Sequence, residues 1–244
     1  MDAIRIVSLT KKFKNVTAVE DLSLDIHQGE LFSLLGVNGA GKTTTIKMLC
    51  GLTRPTSGDA FLNGKSIVTD TADVKKIIAL SPQETAVAPG LSVRENLELM
   101  LSVRNFSSCG AQRKQKITET AALLGLDEVM GRKAGKLSGG WQRRLSIAMA
   151  LICDPKILFL DEPTLGLDVL ARSDLWNIIR ALKGKVTVIL TTHYMEEAEA
   201  LSDRIAILKD GRLLACGTAP EIKAMAQTDN FEEAFVRIVK EAAK

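Results

Sequence analysis

The sequence predicts an α/β fold around a mainly parallel sheet, on three observations. Short apolar runs alternate with helical patterns along the chain, as in layered folds of strands and helices. Three of these runs, "LFSLL", "ILFL" and "VTVIL", are continuously apolar, as expected of parallel strands buried on both faces. Between 93 and 151 the strand pattern gives way to a mainly helical one, so a helical block separates two strand-rich regions.

The strand candidates in the first region are "IRIV" (4–7), "LSLDI" (22–26), "ELFSLL" (30–35), "AFL" (60–62) and "IIAL" (77–80). In the helical block, "VRENLELMLSVRN" (93–105), "KQKITETAALLGL" (114–126) and "WQRRLSIAMALI" (141–152) carry apolar residues at helical spacing. Strands resume with "KILFL" (156–160), "VTVIL" (186–190), "RIAIL" (204–208) and "RLLACG" (212–217). "DNFEEAFVRIVKEAAK" (229–244) closes the sequence as a short amphipathic helix.

Composition narrows the function classes. A chain of 244 residues, 46% hydrophobic, has ample material for a core. A net charge of +3 is far from the concentrated basic stripe of nucleic-acid binding, so no nucleic-acid partner is expected; "QRKQK" (112–116) reads as a solvated helix face. Cys50, Cys109, Cys153 and Cys216 lack CxxC spacing, and His27 and His193 are the only histidines. That argues against a zinc site and for a reduced, cytosolic compartment. "MDAIRIVSL" does not read as a signal peptide. The longest uncharged stretch, 31–41, contains glycines and falls short of the roughly 20 apolar residues of a membrane span.

Residues 36–43, "GVNGAGKT", follow an apolar strand and precede the helical "TTIKMLCGL". This is the P-loop pattern in its strand–loop–helix context. Gly36, Gly39 and Gly41 let successive backbone N–H groups turn toward phosphate oxygens, and the helix adds its positive dipole end. Lys42 supplies charge for the β- and γ-phosphates and Thr43 a hydroxyl for Mg²⁺. The motif alone does not choose among kinases, GTPases and ATPases.

"KILFLDEP" (156–163) is an apolar strand ending in Asp161 and Glu162. Ligands gather beyond the carboxyl ends of parallel strands, so both acids are expected to face the nucleotide. Asp161 suits the Mg²⁺ shell beside Thr43; Glu162 can orient or deprotonate the water that attacks the γ-phosphate. His193 lies just past the strand "VTVIL", where an imidazole can hydrogen-bond the γ-phosphate. Gln83, after the strand "IIAL", is placed to meet Mg²⁺ or the attacking water.

Gly139 and Gly140 stand in front of a strongly helical run, where each costs roughly 1 kcal/mol relative to alanine. Taken in order, the pieces "GVNGAGKTT", "LSPQE", "LSGG", "ILFLDEP", "LGLD" and "TTHYMEEAE" resemble the nucleotide-binding subunit of ABC (ATP-binding cassette) transporters, over essentially the whole chain. "LSGG" is the most specific, since other P-loop families lack it.

The resemblance implies a P-loop NTPase core with a mainly parallel sheet, an antiparallel β subdomain and an inserted helical subdomain. It would divide a single domain into a core at 1–82 and 156–217, a helical subdomain at 83–155 and a helical tail at 218–244. It implies two cassettes paired head to tail, as homodimer or heterodimer, with two ATP and Mg²⁺ between them. Each ATP would lie on Gly36, Asn38, Gly39, Ala40, Gly41, Lys42, Thr43 and Thr44 of one subunit. Ser138, Gly139 and Gly140 of the other would cap the γ-phosphate. Phe13 would stack on adenine, and Asp168 would lie near the dimer interface. Thr43, Gln83 and Asp161 would serve the metal, while Lys42, Gln83, Glu162 and His193 would carry catalysis. Trp141 departs from the family's usual glutamine and either meets nucleotide or packs within the helical subdomain.

The expected activity is ATP hydrolysis coupled to transport through an integral membrane permease, with the chain peripheral on the cytoplasmic face of the membrane. The stretch "ETAVAPGLSVRENLEL" (84–99) resembles the segment that forms a groove for a permease helix. "VAPGLSVRENL" and "GLDVLAR" look most like cassettes of bacterial exporters of drugs, lipids or polysaccharides. Two alternatives compete: a soluble ABC-type switch acting on nucleic acid or ribosomes, which predicts coiled-coil insertions or tandem cassettes, and a binding-only cassette, which needs a broken catalytic position.

Overall fold

A computed structural model of the chain describes residues 2–103 and 110–242. Its first two strands, β1 (Asp2–Phe13) and β2 (Val16–His27), form a long antiparallel pair. They far exceed the "IRIV" and "LSLDI" runs that announce them. The reason is bulging: the register shifts between Ile6 and Leu9 and Ser8 takes a left-handed φ of 47°, which breaks the period-two alternation a sequence reader follows. β4 (Ser57–Leu62) pairs with β1, and the two-residue β5 (Lys65–Ser66) completes a four-stranded antiparallel sheet in the order β2-β1-β4-β5.

The second sheet has six strands. β3 (Leu31–Leu35), β6 (Ile78–Ser81), β7 (Ile157–Asp161), β8 (Thr187–Thr192), β9 (Arg204–Lys209) and β10 (Arg212–Gly217) lie in the order β10-β9-β3-β8-β7-β6. All neighbours are parallel except β9 and β10. β3, β7 and β8 are buried at every residue, as their continuous apolarity demands. With β6 they run parallel, so their four carboxyl ends share one edge of the sheet.

Helices cover both faces. α1 (Lys42–Leu49) follows β3, and α2 (Thr71–Ile77), absent from the sequence expectations, leads into β6. One apolar core fills the space between the antiparallel sheet, α1 and one face of the large sheet. On the other face pack α3 (Val93–Val103), α4 (Gly110–Leu123), α5 (Gly139–Leu151) and α6 (Val169–Arg180). The helix expected over 114–126 stops at Leu123 because Gly125, at φ 63°, turns the chain left-handed. Residues 104 and 105 of the helix expected over 93–105, together with Cys109 and the last two residues of the closing helix, lie outside the described residues. The third core joins α7 (Met195–Leu201), α8 (Ala219–Met225) and α9 (Phe231–Glu241) to β9 and β10.

The helical block enters and leaves the sheet on adjacent strands: the chain departs after β6 and returns on β7, with Ile78 opposite Ile157. α3 opens with a capping box, in which Ser92 Oγ accepts from the Glu95 N–H (3.2 Å) and Glu95 Oε2 accepts from the Ser92 N–H (2.7 Å). The fully buried Asn96 then braces the loop before it. Its Oδ1 accepts from the Ala88 N–H (2.8 Å) and its Nδ2 donates to the Ser92 carbonyl (2.9 Å).

Candidate active site

The parallel strand ends build the site. β3 runs into residues 36–41, where the Gly36 N–H still donates to the Thr192 carbonyl (3.3 Å) and so keeps the loop anchored to β8. Glycine is obligatory at two points. At Gly36 a Cβ would fall 2.4 Å from the Leu208 carbonyl oxygen; at Gly41, which has φ 98°, it would fall 2.5 Å from that of Ala18. The loop then opens α1 at Lys42 with its amides at a helix N-terminus.

Lys42 turns back into this cradle. Its Nζ donates to the carbonyls of Gly36 (2.7 Å) and Val37 (3.3 Å) and lies 3.2 Å from Glu162 Oε1. The other carboxylate oxygen, Oε2, is 2.8 Å from His193 Nδ1. A single carboxylate therefore joins the residue after β7, the residue after β8 and the lysine after β3. Glu162 also adopts φ 49°, a region costly for a non-glycine residue and typical of functional sites. Thr191 holds it there: the Glu162 N–H donates to Thr191 Oγ1 (2.9 Å). The Thr191 hydroxyl in turn donates to Asp161 Oδ1 (2.6 Å), which also accepts from Thr43 Oγ1 (3.0 Å).

These residues suit a nucleoside triphosphate with Mg²⁺. Among the described residues no group of three His, Cys, Asp or Glu side chains gathers to hold a metal. One carboxylate and one hydroxyl already in contact are the usual protein share of a Mg²⁺ shell completed by phosphate oxygens. A cavity of about 700 Å³ opens above them, lined by Phe13 at one end, by Asn38–Thr44 along the floor, and by Gln83, Glu162 and His193 at the other. Phe13 is half exposed, and Lys11 Nζ sits 4.9 Å from its ring centroid, which leaves it as the aromatic platform at the end of the cradle.

Six expected residues do not line this cavity: Gly36 and Asp161 stand behind it, hydrogen-bonded to Lys42 and Thr43, and four others lie elsewhere. Ser138 is the N-cap of α5, and its side chain makes no capping bond. Gly139 and Gly140 form the first turn of α5; a Cβ on Gly139 would meet nothing, and one on Gly140 would touch only the Ala171 Cβ at 3.4 Å. Asp168 caps α6, accepting from the Ala171 N–H (2.9 Å). The signature turn and the start of α6 thus lie side by side, apart from the chain's own cradle. Trp141 is half buried against the core of the helical block, with the Arg144 guanidinium 5.0 Å from its ring centroid. Of the two expectations for it, packing is the one observed.

Besides Thr191, sequence reading missed three residues. Arg143, 6% exposed, donates to the carbonyls of Pro82 (2.7 Å) and Gln83 (2.5 Å). Burial pulls its guanidinium below the ordinary arginine range, against the attraction of Asp161. Its signal was helical spacing: Arg143 shares a stripe with the buried Ser146, Ile147 and Ala150. Glu197, fully buried on α7, accepts from Trp176 Nε1 (3.0 Å). Burial pushes its carboxyl above the usual range, opposed by nearby Thr192, Thr164 and Trp176. Tyr194 lies against the His193 ring, centroids 4.1 Å apart, with the Arg172 guanidinium 5.6 Å from its own ring centroid.

Known proteins resemble the chain along its length. A family model described as ABC transporter matches residues 19–165. The daunorubicin/doxorubicin resistance ATP-binding protein DrrA of Streptomyces peucetius is 40% identical over 223 residues, covering 91% of this chain and 67% of that protein. The human phospholipid-transporting ATPase ABCA3 is 40% identical over 226 residues, 90% of this chain but 13% of its own length. The probable multidrug ABC transporter ATP-binding protein YbhF of Escherichia coli (strain K12) is 37% identical, over 95% of this chain and 40% of its own. Among solved structures, an ATP-binding subunit of an ABC transporter superposes with a TM-score of 0.85 at 26% identity, covering 97% of this chain and 99% of that one. A dimeric, post-hydrolysis ATP-binding cassette, MJ0796, bound to ADP and Pi, gives 0.79 at 28% identity, covering 88% and 98%.

Proposed function

This chain belongs to the ABC transporter family, as an ATP-binding cassette, and on that premise we propose that it hydrolyses ATP in a head-to-tail pair to drive a membrane permease in export. The observation that carries the reading is the Glu162 carboxylate held between Lys42 and His193 at the mouth of the phosphate cradle. There the acid meets a water at the γ-phosphate, the lysine meets the phosphate charge, and the imidazole joins the two.

In this reading the N–H groups of the 36–43 loop and Lys42 hold the β- and γ-phosphates. Thr43, Asp161 and Gln83 hold Mg²⁺, which when bound draws charge off the phosphate oxygens. Glu162 orients the attacking water and accepts its proton as the oxygen bonds to the γ-phosphorus and the bond to ADP breaks. The contact of His193 Nδ1 with Glu162 orients the ring and leaves Nε2 to face the γ-phosphate. Phe13 stacks on the base. Ser138, Gly139 and Gly140, presented at the start of α5 with no obstacle in their own chain, cap the γ-phosphate held by the partner cassette, with Asp168 beside them.

The link to the membrane is the loop that follows Gln83. A groove of about 220 Å³ lies beside it, lined by Pro82, Ala86, Met100 and Met149 among others, and it suits an apolar helix end. Among the described residues no helix is long and apolar enough to cross a membrane; in this reading a permease spans it and the cassette sits on the cytoplasmic face. The drug-resistance and phospholipid-transporting relatives favour export of an amphiphilic cargo over a switch acting on nucleic acid or ribosomes.

The test is phosphate release from Mg²⁺-ATP by the purified chain and by Glu162→Gln. Removing a group aimed at the transition state typically costs about 10²–10³-fold, so turnover should fall by that much while nucleotide binding persists. Turnover at the parental rate in Glu162→Gln would remove Glu162 from the chemistry.

A further inference from the structure

Arg143 is a buried cation with no direct ion pair among the described residues: Asp161 attracts it from a distance, and two successive carbonyls, those of Pro82 and Gln83, take its guanidinium. A buried charge is costly unless it is paired or hydrogen-bonded. The stripe it occupies on α5 is otherwise filled by small and apolar side chains, and a hydrophobe there would pack at less cost. The guanidinium fork does what a hydrophobe cannot. Gripping two successive carbonyls fixes the two peptide planes that flank the Gln83 Cα, and with them the direction in which the Gln83 side chain leaves the loop. On the other side, Arg143 stands one helical turn from Gly140. The loop that reads one phosphate group and the turn that caps another are therefore clamped to the same turn of helix.

We propose that Arg143 is a positioning residue that couples the two nucleotide sites through one cassette, tying the Gln83 loop, which reads the chain's own ATP, to the Ser138–Gly140 turn, which caps the partner's. This rests on the head-to-tail reading above. Nucleotide at the cradle draws Gln83 toward it; the Arg143 clamp carries that displacement into α5 and sets the presentation of the signature turn. Without the clamp each site still binds nucleotide, but the turn no longer responds to it.

The experiment is amide hydrogen exchange on the full chain, kept dilute enough to remain monomeric, with and without a non-hydrolysable ATP analogue and Mg²⁺. It compares the parent, Arg143→Met and Arg143→Lys. In the parent the analogue should slow exchange at 36–44 and alter it at 81–86 and 137–142. Arg143→Met should keep the protection at 36–44 and lose the change at 137–142. Arg143→Lys, with one point donor instead of a fork, should fall between. In a Glu162→Gln background, ATP-driven pairing measured by light scattering should weaken about tenfold or more on adding Arg143→Met, the scale of losing charged hydrogen bonds. Circular dichroism and retained protection at 36–44 separate this from unfolding. A parental change at 137–142 that survives Arg143→Met overturns the proposal. So does a parent in which 36–44 is protected and 137–142 never responds. A parent with no protection at 36–44 would instead overturn nucleotide binding itself.

Discussion

The Lys42 ammonium and the Glu162 carboxylate lie 3.2 Å apart with both side chains more than nine-tenths buried. In the proposed mechanism the cation for phosphate is thus partnered by the acid for water, and a phosphate entering the cradle would compete with Glu162 for Lys42.

The pair predicts a double-mutant cycle. Lys42→Met should destabilise the nucleotide-free chain by about 3 kcal/mol, the lower end for an orphaned buried charge, since His193 still meets the second oxygen. Adding Glu162→Gln should return most of that loss. Urea unfolding measures it, and additive losses would mean that the two groups do not depend on each other.

Gly139→Ala offers a cleaner separation of fold from function. Among the described residues nothing lies within 4 Å of the added methyl, and alanine raises helix propensity by up to about 1 kcal/mol. Thermal unfolding should therefore show equal or greater stability, and nucleotide binding to the monomer should be unchanged. Hydrolysis and ATP-driven pairing should fall if, as proposed, the bare backbone serves a phosphate on another molecule. Full activity in Gly139→Ala, and in the bulkier Gly139→Val, would remove that role.

Glu197 predicts a pH dependence with a definite sign. Burial raises its folded-state carboxyl above the unfolded value, so the folded chain binds the extra proton, and stability falls as pH rises from the unfolded value through the folded one. Glu197→Gln keeps an acceptor for Trp176 and removes the charge. Its gain over the parent should be absent in acid, below the unfolded value, and grow through that window to a plateau at higher pH. A constant offset in thermal midpoint across pH would show that ionisation of Glu197 is not involved.

Phe13→Ala should weaken ATP binding about tenfold or more, given roughly 1–3 kcal/mol for base–aromatic stacking, whereas Phe13→Tyr should be neutral. Calorimetric titration with ATP and with inorganic triphosphate separates the two ends of the cavity. Only the former should respond to Phe13.

The cradle was legible because its residues are contiguous and each has a strict chemical duty, and because the strands behind it are mostly apolar and buried throughout. Asp161 and Glu162 were legible as the acids that end such a strand, and His193 and Gln83 as polar residues just past one. The bulged β1 was illegible at its full length because Ser8 at positive φ breaks the alternation. Thr191 hid inside an apolar strand whose pattern it does not disturb, although it holds both acids in place. Arg143 and Glu197 hid for the converse reason: a charged side chain on a helix is expected to face water, and only the tertiary fold shows these two turned inward.

β6 is an edge strand, and β7, where the helical block ends, is its immediate hydrogen-bonded neighbour. The block's two attachment points are consequently side by side, and joining them requires no rethreading of the sheet. Topologically the block is an interchangeable cartridge: another polypeptide of similar span could be spliced between Ser81 and Ile157 while β3, β7 and β8 kept their order. Such a cartridge would carry its own Gln83 loop, Ser138–Gly140 turn and Arg143 clamp as one unit, and it would have to match the core only at seam contacts such as the Ser81–Ser146 hydroxyl pair.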